Sequence, residues 1–590
     1  MDALSSADRE VVDRLFNAAW REGYAQERRL RPSVSGDGSL AMVRLADGRA
    51  LVAGVASIGA LDWVRTQPPY YVRSDEGAEP EPVTSVSQVV DLWDDGSSGF
   101  GRFRDEVLQS AANLGMILEA SDARALPFAG RATGLIALAH DGRAAVEGVP
   151  PEAWLEGWIL RGHPFHPGCK ARSGFDMADM DRYSPELGRE LVARFVAVRR
   201  SHLVERRAPG AKEDWPTSWR EAISRELGAR GLAAGGFGVL PAHPWQFENV
   251  LPRVFAREIA SGAVVPLEFR APVRPLVSLR TLVPVGEPGA CHLKVPLAIQ
   301  ATSAQRTVSA PSAENGPAFS AWVEAARADL LWSGDWELQA EERGLHFWDP
   351  GADPRDPAAL EKARHLSFLC RRPPSPVADR WLVPAALLAE ASPVDGRPVV
   401  RELLELYGEG IGWFFHDYAA LTLRAILPLA LREGIALEAH AQNCLVRFRG
   451  GTPVSLVIRD LGGLRVLPEW AGEAGRGIAL HPGTLIKAES PRDLVSKIHH
   501  TWLHNHLAPL ARALADCGSV PEHVLWAGAR AAARCVFDEA ARSAPAGRAE
   551  ALREAFFAPL ARVKALTRMR LAGKYFQYDI AEVANPLHEA

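Results

Sequence analysis

Lysine is scarce in this sequence: eight of its 67 basic residues are Lys and the others are Arg. Where arginine is the default cation, a retained lysine points to a position that needs a compact, rotatable ammonium. Basic charge is not in excess either, because 72 acidic residues leave a formal net charge of -5. That balance excludes a phosphate-backbone binder, so no nucleic-acid partner is expected. Cysteine is thin, with six residues and no C-x-x-C pair, which excludes a disulfide framework and a thiolate zinc site and fits a reducing cytoplasm. The start, MDALSSADREVVDRLF, lacks a basic segment followed by an apolar one and argues against a secretory signal. The most apolar stretch, Tyr418 to Leu437, is broken by Arg424, Pro428, Arg432 and Glu433. It falls short of a membrane span, so no membrane partner is expected, and it reads as a buried, kinked helix. No internal repeat is visible.

What is present is an ordinary globular composition, 47% hydrophobic and 24% charged over 590 residues, enough for about three or four domains. Val12, Leu15, Phe16, Ala19 and Trp20 share one face and predict a helix from about Ser6 to Arg28. Asp47-Gly48 predicts a hairpin between Leu40–Leu45 and Arg49–Val55. Residues 66–90, rich in Pro and Glu, read as a long surface loop, and helices are expected through 103–160. Two further hairpins pair Leu276–Val285 with Cys291–Ala301 and Leu437–Phe448 with Val454–Asp460. Pro-rich stretches at 205–217 and 349–377 read as linkers or boundaries, and the tail from Pro491 reads as almost wholly helical.

The densest polar signal runs from Gly162 to Phe175, with His163, His166, Lys170 and Arg172 fixed by two prolines and two glycines. Its natural guest is an anion. A second set spans the middle hairpin: Ser278, Arg280 and Thr281 on one strand, then Lys294, Thr302, Ser303 and Arg306. Alternation would send Ser278 and Arg280 to one face, with Lys294 in reach, making a cationic, hydroxyl-lined surface suited to phosphates or a polycarboxylate. A solvated sheet face is the plain alternative, but nothing acidic lies between Val273 and Gly286 to partner those cations.

The third set is Glu438, His440, Gln442 and Asn443, followed by Asp460 after a turn. On a strand, Glu438, His440 and Gln442 share a face, and Glu438 with Asp460 offers the carboxylates that suit Mg²⁺. His-x-x-Asn followed by Asp-x-Gly is also similar to the catalytic and metal loops of kinase-like phosphotransferases, but no Asp stands where their base would be. His499 to His506 has His500 and His504 one helical turn apart; with no carboxylate or thiolate at ligand spacing it reads as a satisfied helical surface. Lys564 and Arg570, about two turns apart, read as a basic helical stripe.

The ordered set G-H-P-x-H-P-x-x-K-x-R-x-G-F, H-P-W-Q (His243 to Gln246), S-x-R-T, K-x-P-L, T-S-A-x-R-T, E-x-H-x-Q-N and R-D resembles the NRPS-independent siderophore synthetases, the aerobactin-synthetase-like family. The likeness covers about residue 150 to Asn585-Pro586-Leu587. It implies an α+β, multi-domain cupped hand with antiparallel sheets and a helical C-terminal region: a thumb over 1–160, fingers over 161–348 and a palm over 349–590. It implies ATP as substrate and Mg²⁺ as cofactor, adenylation of a carboxylate of citrate or a related polycarboxylate, and transfer of the acyl group to an amine or hydroxyl. By resemblance, Ser278, Arg280, Thr281, Lys294, Thr302, Ser303, Arg306, His440 and Asn443 hold ATP, and Glu438 and Asp460 hold Mg²⁺. His166, Arg306, Lys564 and Arg570 meet the carboxylate, and His166, Arg306, His440 and Lys564 are the catalytic candidates. The stretch from Thr302 to Thr307, with Asn315-Gly316-Pro317, looks closer to members acting on free citrate, although Gln300-Ala301 precedes it where many members carry Ile. A homodimer is a family-level expectation. The rival readings are a kinase-like phosphotransferase and a non-catalytic carboxylate or siderophore-binding protein.

Overall fold

The computed structural model describes residues 4–32, 39–74, 78–211, 215–232, 234–301, 304–473, 475–484, 486–518, 520–574 and 578–589, the side chains of 32, 234 and 304 excepted. Helix α1 (Ser6–Arg21) opens on a capping box in which the Ser5 hydroxyl accepts from the Asp8 N–H, and it buries Val11, Val12, Leu15, Phe16 and Ala19. It stops before the expected Arg28 because Gly23, at φ +68°, turns the chain into a strand at Glu27–Pro32. Five antiparallel strands follow in sequential order up to Glu81–Pro82, with Gly48 in the expected turn. The surface loop expected over 66–90 is corrected. Strand Val64–Arg73 fills its first half, and helix Val86–Val90 its end. The prolines misled because Pro68 and Pro69 sit where the pairing skips from Tyr70 to Gln67, so their missing N–H groups cost no ladder bond. Helix α1 packs on this sheet, and helix α2 (Phe100–Ala125) packs on α1 and leads through short helices to Glu156.

The central element is an eight-stranded antiparallel sheet. Its strands include β1 (Leu191–Arg199), β2 (Val264–Pro275), β3 (Thr281–Pro284), β4 (His292–Lys294), β5 (Glu341–Phe347) and β6 (Ser367–Arg371). Across the sheet the order is Leu203–Arg207, β5, β6, β4, β3, β2, β1, Phe237–Ala242. The expected hairpin pairs Thr281 with Lys294 and Leu282 with Leu293. Both linker expectations are corrected here. Leu203–Arg207 is the edge strand, and all five residues of β6 are buried beside β4, beyond residue 348. The Arg-Arg-Pro-Pro run that suggested a linker begins only where β6 leaves the sheet.

Helix α3 (Ile411–Glu433) is the expected buried helix, with Pro428 inside it and Gly434 at φ +64° ending it. It packs on the hairpin of β7 (Cys444–Arg449) and β8 (Thr452–Arg459), which forms a four-stranded sheet with Trp381–Pro384 and with Trp336–Gln339, the latter parallel to β8. Helix α4 (Pro491–Ile498) continues as a π-helical turn over His499–Leu507, and three more helices reach Phe556. The wholly helical tail is then corrected: β9 (Leu560–Lys564) and β10 (Ile580–Ala584) form an antiparallel pair around α5 (Leu566–Leu571). The α+β reading, with antiparallel sheets and a largely helical C-terminal region, holds. No described helix is long and apolar enough to cross a membrane.

Candidate functional site

Four His-Pro dipeptides share one local geometry. Proline offers no N–H, so a histidine ring folding onto its own backbone first meets the N–H of the residue after the proline. His163 Nδ1 accepts from Phe165 at 3.2 Å, His166 Nδ1 from Gly168 at 2.9 Å, His243 Nδ1 from Trp245 at 3.2 Å and His481 Nδ1 from Gly483 at 2.9 Å. A ring nitrogen that accepts is unprotonated, so a neutral ring carries its proton on Nε2. Burial, then Arg14 and Arg306, lowers the pKa of His166 to about 4, which keeps the ring neutral at pH 7. His166 is buried and its Nε2 has no partner among the described residues. It is a buried N–H donor without an acceptor, a state that costs about 1–3 kcal/mol until a ligand supplies one.

The anion expected for Lys170 and Arg172 is part of the protein. Glu186 takes Lys170 Nζ at 2.6 Å and both its oxygens take Arg172, at 2.6 and 2.8 Å, with all three side chains buried. Burial pushes the Glu186 carboxyl up, but Arg172 and Lys170 outweigh it and hold the pKa at about 2. These cations brace the loop.

The middle hairpin differs in detail from the strand alternation expected. Ser278 and Arg280 lie in a turn before β3, where Leu279 adopts φ +68°. The Ser278 hydroxyl accepts the Thr281 N–H at 3.1 Å and donates to Thr281 Oγ1 at 2.8 Å. Arg280 donates to the Thr307 carbonyl. Lys294 reaches Glu341 at 3.1 Å and Asp460 at 2.8 Å, and Arg371 reaches the same two carboxylates at 3.4 and 3.3 Å. Burial raises Asp460, but Lys294, Arg371 and Arg280 hold it well below the ordinary carboxylate range. Burial and Arg280 lower Arg306 to about 10, against Asp460. Thr302 and Ser303 lie outside the described residues.

The strand expected for 437–443 is corrected. Residues 437–440 carry no ladder and Ala441–Asn443 is a 3₁₀ turn, because Arg459 draws in the Gln442 carbonyl at 2.8 Å. Asn443 Nδ2 donates to the Glu438 carbonyl at 3.1 Å, so it braces that bend. Glu438 takes Lys497 Nζ at 2.5 Å; burial raises its pKa, but Lys497, His440 and Lys564 pull it to about 2. His440 is lowered by burial, against Glu438, and also feels Lys497, Asp460 and Lys564. Asp460 stands just past β8 at φ +70°, its Oδ1 accepting the Gly462 N–H at 3.3 Å. The second and third sequence signals therefore form one electrostatic neighbourhood, joined by Asp460.

Lys564 and Arg570 do not share a helical stripe: Lys564 ends β9 and Arg570 lies in α5. Both Arg570 nitrogens that face Glu106 on α2 pair with it, Nε at 2.9 Å. Lys564 donates its N–H to His500 Nδ1 at 3.2 Å, and its Nζ stands 3.8 Å over the Tyr578 ring. Of the described lysines, Lys170, Lys294, Lys362, Lys487, Lys497 and Lys574 each hold a carboxylate within 4 Å. Lys564 has none among the described residues. The His499–His506 tract is not a helical surface but fully buried, with His504 stacked 3.8 Å on Phe165 and His506 Nε2 2.7 Å from the Tyr418 hydroxyl.

Sequence reasoning missed Glu341, Arg371 and Lys497. Lysine scarcity was a usable signal for Lys497; nothing local marked Glu341, and the prolines after Arg371 hid it. Glu438 and Asp460 could accept a hard cation, although no group of three or more His, Cys, Asp or Glu side chains that could hold a metal is found among the described residues.

The IucA / IucC family model matches residues 152–390, and a model described as ferric iron reductase FhuF-like transporter matches 413–578. The chain is 32% identical over 399 residues to the uncharacterized protein y4xN of Sinorhizobium fredii, covering 63% of this chain and 62% of that protein. It is 27% identical over 443 residues to staphyloferrin A synthase of Staphylococcus aureus, covering 74% and 72%. In fold it is similar to the petrobactin biosynthesis protein AsbB of Bacillus anthracis, with TM-score 0.79, 19% identity and coverage of 99% and 95%. It is similar also to ATP-bound aerobactin synthetase IucA of Klebsiella pneumoniae, with TM-score 0.75, 19% identity and coverage of 98% and 100%. On these matches and this fold, the chain is similar to the IucA / IucC family over residues 152–390 and shares the fold of the aerobactin synthetases.

Proposed function

We propose that this protein is an ATP-dependent ligase that adenylates a carboxylate of citrate or a related polycarboxylate and passes the acyl group to an amine or hydroxyl. The observation that carries the reading is a pair of groups with no acceptor or carboxylate partner among the described residues: the buried Nε2–H of His166 and the ammonium of Lys564. One is a neutral donor and the other a cation, and a polycarboxylate satisfies both. The named relatives, a staphyloferrin A synthase and an ATP-bound aerobactin synthetase, support a siderophore-forming ligase that uses ATP.

In this reading Ser278, Arg280, Thr281, Lys294, Thr302, Ser303, Arg306, His440 and Asn443 hold the nucleotide. A carboxylate oxygen attacks the α-phosphorus, the bond to the bridging oxygen breaks and pyrophosphate leaves. Arg306 and Arg280 face the charge that builds on the phosphoryl oxygens, and their fixed positions lower the barrier without reorganisation. The nucleophile then attacks the acyl carbon and AMP departs. His166, Lys564 and Arg306 orient the acid; Arg570, paired with Glu106, holds the adjoining wall.

Glu438 and Asp460 fit Mg²⁺, since both are ionised oxygen donors. Each already faces a lysine, so these residues suit a dication that arrives with the negative charge of a polyphosphate. When bound, Mg²⁺ would neutralise that charge. The test is hydroxylamine-trapped turnover with citrate and 2-oxoglutarate, read as released pyrophosphate and nucleotide. Acid-dependent pyrophosphate and AMP are expected; ADP, or turnover independent of acid, overturns the reading in favour of phosphoryl transfer.

A further inference from the structure

The cleft around Lys564 carries more positive charge than the acid assigned above uses. It encloses about 360 Å³, and Arg465, Lys487, Lys497, Arg562 and Lys564 line it against a single carboxylate, Asp493. The charges are graded in depth. Lys497, with 5% of its side chain exposed, is matched by Glu438 at the inner end. At the mouth, Arg562 is 26% exposed and 3.8 Å from Asp493, and Lys487 is 57% exposed and 3.4 Å from Glu489. Pairs that loose and that wet hold little energy, so both cations remain available to a ligand. Arg465 donates to the Leu464 carbonyl at 3.1 Å and stands 5.2 Å over the Tyr578 ring. Neither Arg465 nor Lys564 has a carboxylate within 4 Å among the described residues. The surplus is felt locally: burial alone would raise the Tyr578 phenol, but Lys564, Arg465 and Lys497 pull it below its ordinary value.

We propose, on the reading given under Proposed function, that Arg465 and Arg562, with Lys487, bind a carboxylate on the second substrate, which is therefore an amine of the amino-acid class and not a polyamine. The inner cations serve the activated acid; the outer ones lie on the side from which a nucleophile enters. An arginine fork grips a carboxylate with two parallel hydrogen bonds, whereas a second ammonium would meet like charge from three sides. In the transfer, the free amine forms the C–N bond to the acyl carbon, the bond to AMP breaks and the amine proton goes to solvent.

Matched pairs test this directly, because putrescine, cadaverine and ethylenediamine are ornithine, lysine and 2,3-diaminopropionate without the carboxylate. With the full chain, citrate, ATP and Mg²⁺, kcat/KM for the accepted amino acid should exceed that of its twin about tenfold or more. In Arg465→Glu combined with Arg562→Glu the preference should vanish or invert, the amine KM rising and the ratio being read within one preparation. Equal use of both twins, preference for the diamine, or a rise confined to the citrate KM overturns the proposal. Hydroxylamine trapping in the same samples separates the failures: trapped acid without amino-acid transfer sinks only this inference, and no trapped acid sinks the ligase reading with it.

Discussion

Two buried clusters of cations and carboxylates look alike in sequence and differ in balance. Around Glu186, Lys170 and Arg172 lie within hydrogen-bond distance of one carboxylate, and Glu186 is only 2% exposed. Around Asp460, Lys294 and Arg371 share two carboxylates, Arg280 adds its field, and Asp460 is 22% exposed. The first cluster is closed and locks the His-Pro loop. The second is a set of paired charges whose outer member, Asp460, remains partly exposed. A sequence cannot separate the two cases because the deciding carboxylates lie outside the motifs that carry the cations, Glu186 by 14 and 16 residues and Glu341 by 47 and 30.

Acid should reach both clusters through the histidines beside them. His292 lies on β4 with Lys294 of the open cluster and His166 in the His-Pro loop of the closed one, and burial with nearby arginines lowers their pKa values to about 3 and about 4. Their unfolded value is higher, so the stability they lend is complete above about pH 6.5 and is lost as pH falls towards the folded values. At about 1.4 kcal/mol per pH unit for each group, the loss is roughly 7 kcal/mol by pH 4. Glu186 keeps its charge down to about pH 2. Urea unfolding across pH should therefore show stability falling between about pH 6.5 and 4 while Glu186 is still charged; a curve flat over that range removes both histidines from the balance.

Glu186→Gln comes next, because it strands two buried cations. A loss of about 3–5 kcal/mol is expected in denaturant unfolding. Asp460→Asn should do the reverse: Glu341 still pairs Lys294 and Arg371, so stability should fall by at most about 2 kcal/mol, while trapped adenylation falls about a hundredfold. Equal stability losses for the two variants would make the clusters equivalent. Lys564→Ala is the smallest effect, an increase of about tenfold in the citrate KM with the ATP KM within about threefold. A matching rise in both constants would remove Lys564 from the acid pocket.

The pattern of what was legible follows from range. Elements set by local chemistry were readable: the capped α1, the Gly48 turn, the β3–β4 and β7–β8 hairpins and the buried helix through Pro428. Where proline or charge suggested loops, non-local pairing overrode them, as with Val64–Arg73 and β6. For the site, the ordered motifs pointed to Arg306, Glu438 and Asp460, which the fold brings into one electrostatic neighbourhood. They could not show that Lys170 was already neutralised, that the His499–His506 tract was interior, or that Lys564 sits on a strand, since each depends on a partner far along the chain.

The recurrent His-Pro geometry also bears on metal selectivity. A transition metal binds an imidazole through an unprotonated nitrogen. In these rings the unprotonated Nδ1 is occupied by a backbone N–H, and Nε2 carries the proton. Capture by iron, zinc or copper at Nε2 would require a tautomer swap and would orphan that N–H, at a cost of about 1–3 kcal/mol per ring. On the function proposed above, a protein that assembles ligands for ferric iron would thereby be disfavoured as a ligand itself, because each of these rings would have to give up a backbone hydrogen bond to bind the metal.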